Sequence, residues 1–313
     1  MAILKTCIQT LGHTAALKAG KVDTGPWSLE FEEVPAIIQA FRRMVRGTEF
    51  DVSEMAITTY LCAREHGKAF TALPVFIVRA FHHGGILVNR NLGIEHPRQL
   101  EGRRVGVNRG YTVTAGVWAR GVLQHQYGVD LSKITWVLSG DEHVAEYRAP
   151  SNVVPVEPGQ KVEDLLISGE VAAAVGLKVE NPNLVPLIPD ARNEAFSAMR
   201  ETGYYPINHT VVVRNELLEQ HPDLAPTLFK AFVDSKRHWL DRLEQTPADE
   251  RQRDDSFYGR VMDTLGGDPL PYGIESNRQA LESVIRMASE QGILTRQYAL
   301  EDIFAAGTLD LVG

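Results

Sequence analysis

The chain has 313 residues, 44% of them hydrophobic and 23% charged, a composition of ordinary globular proteins, long enough for roughly two domains and unlike collagen, disordered tails or disulfide scaffolds. Lys and Arg number 32 against 40 Asp and Glu, a net charge of −8, so the broad positive field that nucleic acid rewards is missing and nucleic acid is not an expected partner. The longest apolar runs, such as residues 72–78, fall far short of the ~20 residues that cross a bilayer. Residues 1–20, broken by Lys5, Thr6, His13 and Lys18, do not read as an export signal, and the expectation is a cytoplasmic protein without a membrane partner.

Residues 2–8 read as a first strand. Pro35 opens a short helix with Ile37, Ile38, Phe41, Met44 and Val45 on one side and Gly47 as its stop. A short strand at 50–52 precedes a helix that Ser53 can cap and Gly67 can end. Two strands at 75–79 and 85–89 flank a turn made of Phe81, His82, His83 and Gly84. Cys7 and Cys62 lie in apolar surroundings with no CxxC spacing and read as buried free thiols.

A strand at 103–107, a turn at 108–111 and a helix at 112–127 closed by Gly128 form the next unit, followed by a strand at 134–138, a Pro-, Val- and Gly-rich loop to Gly159, a helix at 162–167 and a buried strand at 171–175. Prolines 182, 186, 189 and 206 mark an irregular connection. Residues 209–214, with the β-branched run Thr210, Val211, Val212 and Val213, read as a strand. After it Leu224, Leu228, Phe232, Trp239 or Leu240, and Leu243 form one helical stripe, and Ser276 with Gln279 forms a capping box before Leu281, Val284, Ile285 and Ala288. The alternation predicts an α/β protein with mixed sheets flanked by helices. One lobe is expected over 1–102 and 208–313, a second inserted over 103–207, with a ligand cleft between them.

No GxGxxG, P-loop, HExxH or GxSxG signature is present. The turn Arg109, Gly110, Tyr111, Thr112 at a helix start suits a small anion, since free N–H groups and the positive helix end converge there. Arg109 could clamp a carboxylate; the plainer reading is that Thr112 or Thr114 caps the helix and Arg109 is solvated. Ser53 and Glu54 sit at a second helix start, where Glu54 either complements the dipole or moves protons. His82, His83 and nearby Arg79 suit acid–base work near neutral pH, and on extended chain only one of the two imidazoles would face a ligand. His209 heads a strand and is a similar candidate. A zinc site from the three histidines has no sequence-local ligand spacing behind it, so no metal is expected.

The stretches EFDVSEMAITTY at 49–60, LPVFIVRAFHHGGILVN at 73–89, LEGRRVGVNRGYTVTAGVWARGVLQHQYGV at 100–129 and DPLPYGIESNRQALES at 268–283 together resemble the 4,5-dihydroxyphthalate decarboxylase family. The resemblance spans nearly the whole chain and implies a two-lobed type II periplasmic-binding-protein-like fold; LLISGEVAAAV at 165–175 looks like a helix–strand segment of that fold. It implies non-oxidative decarboxylation of a hydroxylated aromatic acid without metal or organic cofactor. Ser53 and Glu54 match the family's SEM stretch, Arg79 and His83 its R-x-F-R-H segment, and His209 the histidine opening its return strand. On this reading His83, His209 and Glu54 are catalytic, and Ser53, Arg79, His82, Arg109, Tyr111, Thr112 and His13 bind substrate. The family reads YDRT-R-A-L after its first strand where this chain has LGHTAAL at 11–17, so two arginines and an acid are missing, with His13 in one arginine place. Fewer fixed cations match a doubly charged phthalate less well. The alternative is a non-catalytic binder of a small organic anion, either transporter-linked or an intracellular sensor; the oligomeric state is open.

Overall fold

The computed structural model describes residues 2–247 and 249–313. In chain order the strands are β1 (Ala2–Cys7), β2 (Trp27–Phe31), β3 (Val52–Ala56), β4 (Phe70–Arg79), β5 (Ile86–Asn89), β6 (Arg104–Val107), β7 (Thr135–Leu138), β8 (Val153–Pro155), β9 (Ala173–Val175), β10 (Leu184–Pro186) and β11 (Ile207–Arg214). The helices are α1 (Ala15–Lys18), α2 (Ile37–Gly47), α3 (Ile57–Glu65), α4 (Thr114–His125), α5 (Val162–Ser168), α6 (Ala191–Thr202), α7 (Asn215–Gln220), α8 (Leu224–Gln245), α9 (Arg253–Leu265), α10 (Arg278–Glu290) and α11 (Leu300–Ile303). Two packing units emerge: Met1–Arg79 with Thr202–Ser283 and Tyr298–Gly313, and Ala80–Glu201 with Val284–Gln297.

The first unit holds a five-stranded sheet in the order β2-β1-β3-β11-β4. β1 runs parallel to β2 and β3, whereas β11 runs antiparallel to β3 and β4. Its core joins Leu4, Val52, Leu73, Ile77, Val211 and Val213 of the sheet to Leu224, Leu228 and Phe232 of α8, and burying each such side chain contributes roughly 1.5–3 kcal/mol. Farther along the same helix Trp239 and Leu243 pack with Leu270. The apolar stripe read from the sequence is thus the buried face of α8.

The second unit holds a six-stranded sheet in the order β10-β5-β9-β6-β7-β8. β6 is parallel to β7 and β9, and β5 is antiparallel to β9 and β10. Leu165 and Leu166 of α5 pack on Val137 and Ala174 of this sheet.

Three expectations change. Ser53 and Glu54 lie inside β3, not at a helix start: ladder bonds to β1 and β11 hold them extended, so strand pairing overrides the local capping cue. The proline-marked stretch 177–206 contains β10 and the 12-residue helix α6. Residues 80–102, grouped by the sequence pattern with the first lobe, pack with the second unit because β5 bonds to β9 and β10. Among the described residues no helix is long and apolar enough to cross a membrane.

Candidate functional site

β3 is buried along its whole length, and a carboxylate on such a strand needs partners. Glu54 is fully buried and has three. His209 Nδ1 lies 2.6 Å from its Oε1. The Gln9 side-chain amide donates to the same oxygen at 2.7 Å, and the Gln9 backbone N–H donates to Oε2 at 2.9 Å. The strand register explains the meeting: Glu54 is opposite Val211 and Ala56 opposite His209, so Glu54 and His209 are diagonal neighbours on one face of an antiparallel pair. The Phe41 ring of α2 stands edge-on to the His209 imidazole at 5.0 Å between centroids, while the His209 side chain keeps 16% of its surface exposed. A buried carboxylate behind a partly accessible imidazole fixes the ring's orientation, the arrangement acid–base catalysis uses.

The loop after β1 is tied into a fixed shape. Thr14 Oγ1 accepts from Leu11 N–H and donates to the Gln9 carbonyl, both at 2.8 Å. Thr10, Leu11, Gly12 and His13 then line a cavity of about 390 Å³ with Arg79, Tyr205, Trp239, Asp254, Asp255, Phe257 and Tyr258. Gly12 is required there, since a Cβ would come within 2.7 Å of the Trp239 indole. His13 Nε2 is 2.8 Å from the Ile77 carbonyl, and burial pushes its pKa down to about 4, so the imidazole is neutral and donates from Nε2.

Arg79, at the end of β4, is 5% exposed. It donates to the carbonyls of Tyr205 at 2.7 Å and Pro271 at 3.1 Å and to the Asn277 side-chain oxygen. Nε finds no partner among the described residues. Burial lowers its pKa to about 10, which leaves it charged at neutral pH. The segment DPLPYGIESN at 268–277 therefore wraps two buried cations, because Asp268 and the Leu270 carbonyl also hold Lys236.

The other sequence candidates fall elsewhere. Ser53 points to the face of β3 opposite Glu54, is fully buried and donates to the Glu54 carbonyl, which leaves it no free hydroxyl to offer a substrate. His82 and His83 are both buried in the second unit. The 3-10 turn His83–Gly85 begins at the second of them, so strand alternation does not separate their directions. His82 stacks on Trp118 at 6.5 Å, and His83 Nε2 pairs with Gln126 Oε1 at 2.8 Å; burial lowers the His83 pKa.

The anion cradle at the start of α4 is formed but holds the chain's own carboxylate. Glu142 accepts from Tyr111 N–H, from Thr112 N–H at 3.2 Å and from the Thr112 hydroxyl at 2.6 Å. Arg109 is exposed, takes the left-handed φ of +74° and donates its N–H to Ser139 Oγ at 2.7 Å. Thr112 does not cap α4, which starts at Thr114 without a side-chain cap. The Tyr111 ring packs under Arg120 at 3.8 Å.

Gln9 and the aromatic wall were not marked in the sequence. The usable signal for Gln9 was its place just past the carboxyl end of a parallel strand, where α/β proteins gather functional groups. Among the described residues no three His, Cys, Asp or Glu side chains are arranged to hold a metal ion. Burial raises the Cys7 thiol to about 11, which leaves it unreactive.

Two mixed α/β units of this topology define the periplasmic-binding-protein fold. Solved structures that share it include the periplasmic aliphatic sulphonate binding protein SsuA from Escherichia coli, with a TM-score of 0.54 and 12% identity over 98% of this chain and 99% of that one, and the desulfurization enzyme DSZB, with a TM-score of 0.55 and 15% identity over 97% and 96%. Binder and enzyme share one frame, so fold alone does not assign activity. No protein-family model matches the chain. A 4,5-dihydroxyphthalate decarboxylase from Comamonas testosteroni is 30% identical over 290 residues, 87% of either chain. One from Pseudomonas putida is 34% identical over 181 residues, 53% of this chain and 69% of that protein. The chain belongs to the 4,5-dihydroxyphthalate decarboxylase family.

Proposed function

We propose that the protein removes carbon dioxide from a hydroxylated aromatic carboxylic acid without a redox change and without a cofactor. The observation that carries this reading is the buried Glu54 carboxylate set on His209 at 2.6 Å and locked by Gln9; family membership supports it.

Breaking a bond between an aromatic carbon and a carboxylate leaves an electron pair that needs a place to go. His209 takes the proton of a phenolic hydroxyl ortho or para to the carboxylate, and Glu54 stabilises the imidazolium. The imidazolium returns a proton to the ring carbon that bears the carboxylate, giving a cyclohexadienone. The carbon–carbon bond then breaks, carbon dioxide leaves, and its electron pair restores the ring as a phenolate that takes a proton from solvent. Arg79, in the same unit as His209 and at the edge of a cavity walled by Tyr205, Trp239, Phe257 and Tyr258, supplies positive charge for an organic acid.

The test is a panel of hydroxylated benzoates and phthalates, with carbon dioxide release read beside thermal-shift binding. Release from at least one acid supports the reading. Binding of several with release from none assigns the fold's other use, capture of an organic anion without chemistry.

A further inference from the structure

Gln9 stands just past the end of β1 and is half-buried. Its backbone is held without help from its own side chain: Thr14 Oγ1 donates to the Gln9 carbonyl at 2.8 Å, and Lys18 Nζ donates to the neighbouring Ile8 carbonyl at 3.0 Å. That leaves the amide for Glu54. Gln9 meets both oxygens of the carboxylate, its backbone N–H on Oε2 at 2.9 Å and its side-chain N–H on Oε1 at 2.7 Å. The last torsion of a glutamate is broad and lets a carboxylate with one anchor turn. Two anchors set its plane. Oε1, an acceptor already shared with the Gln9 amide, then faces His209 Nδ1 at 2.6 Å. Nδ1 is therefore the donor of that pair, and the neutral imidazole keeps its lone pair on Nε2. On the β4 side the register of β11 shifts both before and after His209, an irregularity of the kind that re-aims a side chain beside a functional site.

We infer that Gln9 is a positioning residue: by clamping both oxygens of Glu54 it fixes the proton of neutral His209 on Nδ1 and makes Nε2 the atom that takes the phenolic proton. The inference rests on the reading that the protein decarboxylates a hydroxylated aromatic acid, and it names the atom and the supporting residue that reading leaves open. Gln9 acts through Glu54, not on the substrate. It sets the fraction of His209 that stands ready as a base, so its loss falls on the chemical step more than on binding. The backbone N–H survives any substitution short of proline, which makes the amide alone the variable.

Nitrogen NMR of the full chain, isotope-labelled at histidine and free of ligand at about pH 8.5, well above the ~6.5 of an unperturbed imidazole, reads the tautomer directly. The His209 signals are assigned by their loss in His209→Gln. The parent protein is expected to show one tautomer, with the proton on Nδ1. Gln9→Met, close in size and without a donor, should show both tautomers. Its kcat for carbon dioxide release should fall about ten- to a hundredfold, the loss that removing an orienting partner of a functional imidazole brings at metal sites, with KM within about threefold. Thr14→Val, which frees the Gln9 carbonyl, should give a smaller change of the same kind, and Thr14→Ser should restore the parent values. That pair carries the test if thermal melts show Gln9→Met unfolded. A parent His209 protonated on Nε2, a tautomer unmoved in Gln9→Met, or a raised KM with kcat intact overturns the inference. Release by the parent with Gln9→Met at the parental rate would overturn it while leaving the decarboxylase reading intact. A tautomer that moves in a protein releasing carbon dioxide from no acid would support the clamp and reject that reading.

Discussion

Arg79 in the first unit and Arg120 in the second are the same chemical object in two settings. Both are buried guanidiniums whose pKa burial lowers, and each keeps one nitrogen without a partner among the described residues. Arg120 is enclosed: its Nε donates to Gln291 Oε1 at 2.8 Å, its Nη2 to the Tyr111 carbonyl at 2.6 Å, and the Tyr111 ring covers it at 3.8 Å with Trp136 beyond at 5.6 Å. Arg79 has carbonyl partners of the same kind but borders open space. A buried cation becomes a site only where an anion can stand beside it. The carboxylates repeat the lesson, since Glu142 fills a cradle and satisfies it, whereas Glu54 leaves an imidazole partly accessible.

The largest expected effect separates the two carboxylates. Glu54→Gln keeps the size and one acceptor oxygen but removes the charge behind His209, and steady-state turnover should fall by about 10²–10⁴-fold with the fold retained by circular dichroism. Turnover within a factor of two of the parent protein would remove Glu54 from the proton path.

Next in size is a pH effect on stability. Above pH 6.5 His13 is neutral whether the chain is folded or not. As the pH falls below 6.5 the unfolded chain takes up a proton that the folded chain refuses until about pH 4. Stability therefore declines through that window, by about 3 kcal/mol for this one group. Urea unfolding of the parent and of His13→Gln at pH 7.5 and pH 4.5 should show the difference shrinking in the variant.

The arginine contrast is sharpened by paired substitutions. Arg120→Met should cost stability, about 1–3 kcal/mol from the oxygens left unpaired, and leave ligand affinity of the folded protein unchanged. Arg79→Met should cost stability in the same way, since the Tyr205 and Pro271 carbonyls and the Asn277 oxygen lose their donor, and in addition lower affinity, by about tenfold, corresponding to ~1.4 kcal/mol. Equal effects of the two on binding would dissolve the distinction. The smallest effect belongs to Glu142→Ala, which removes a carboxylate from the N–H groups before α4 and should lower stability by about 1 kcal/mol in a denaturant melt, as loss of an N-terminal cap does.

Much of the architecture was legible because it is written in periodicity. The stripe Leu224, Leu228, Phe232 and Leu243 and the β-branched run at 210–213 became α8 and β11. What misled was local chemistry overruled by distant pairing. Ser53 looks like a helix cap until β1 and β11 flank it, and Thr112 looks like one until Glu142, 30 residues away, takes its hydroxyl. Glu54, His209, Arg79 and His13 could be named as candidates because of residue type and resemblance. That Glu54 and His209 touch was hidden, since 155 residues separate them and only the sheet register joins them. Gln9 and the aromatic wall from Tyr205 to Tyr258 were hidden for the same reason.

The most direct measurement is single-turnover carbon dioxide release from a saturating hydroxylated aromatic acid by the parent protein, Glu54→Gln and His209→Gln, with binding of the same acid measured for all three. Release by the parent, retained binding in both variants and release slowed at least about 100-fold in each is the predicted result. Undiminished release from either variant, or an acid that binds the parent tightly and is never decarboxylated, would contradict a proton path through His209 and Glu54.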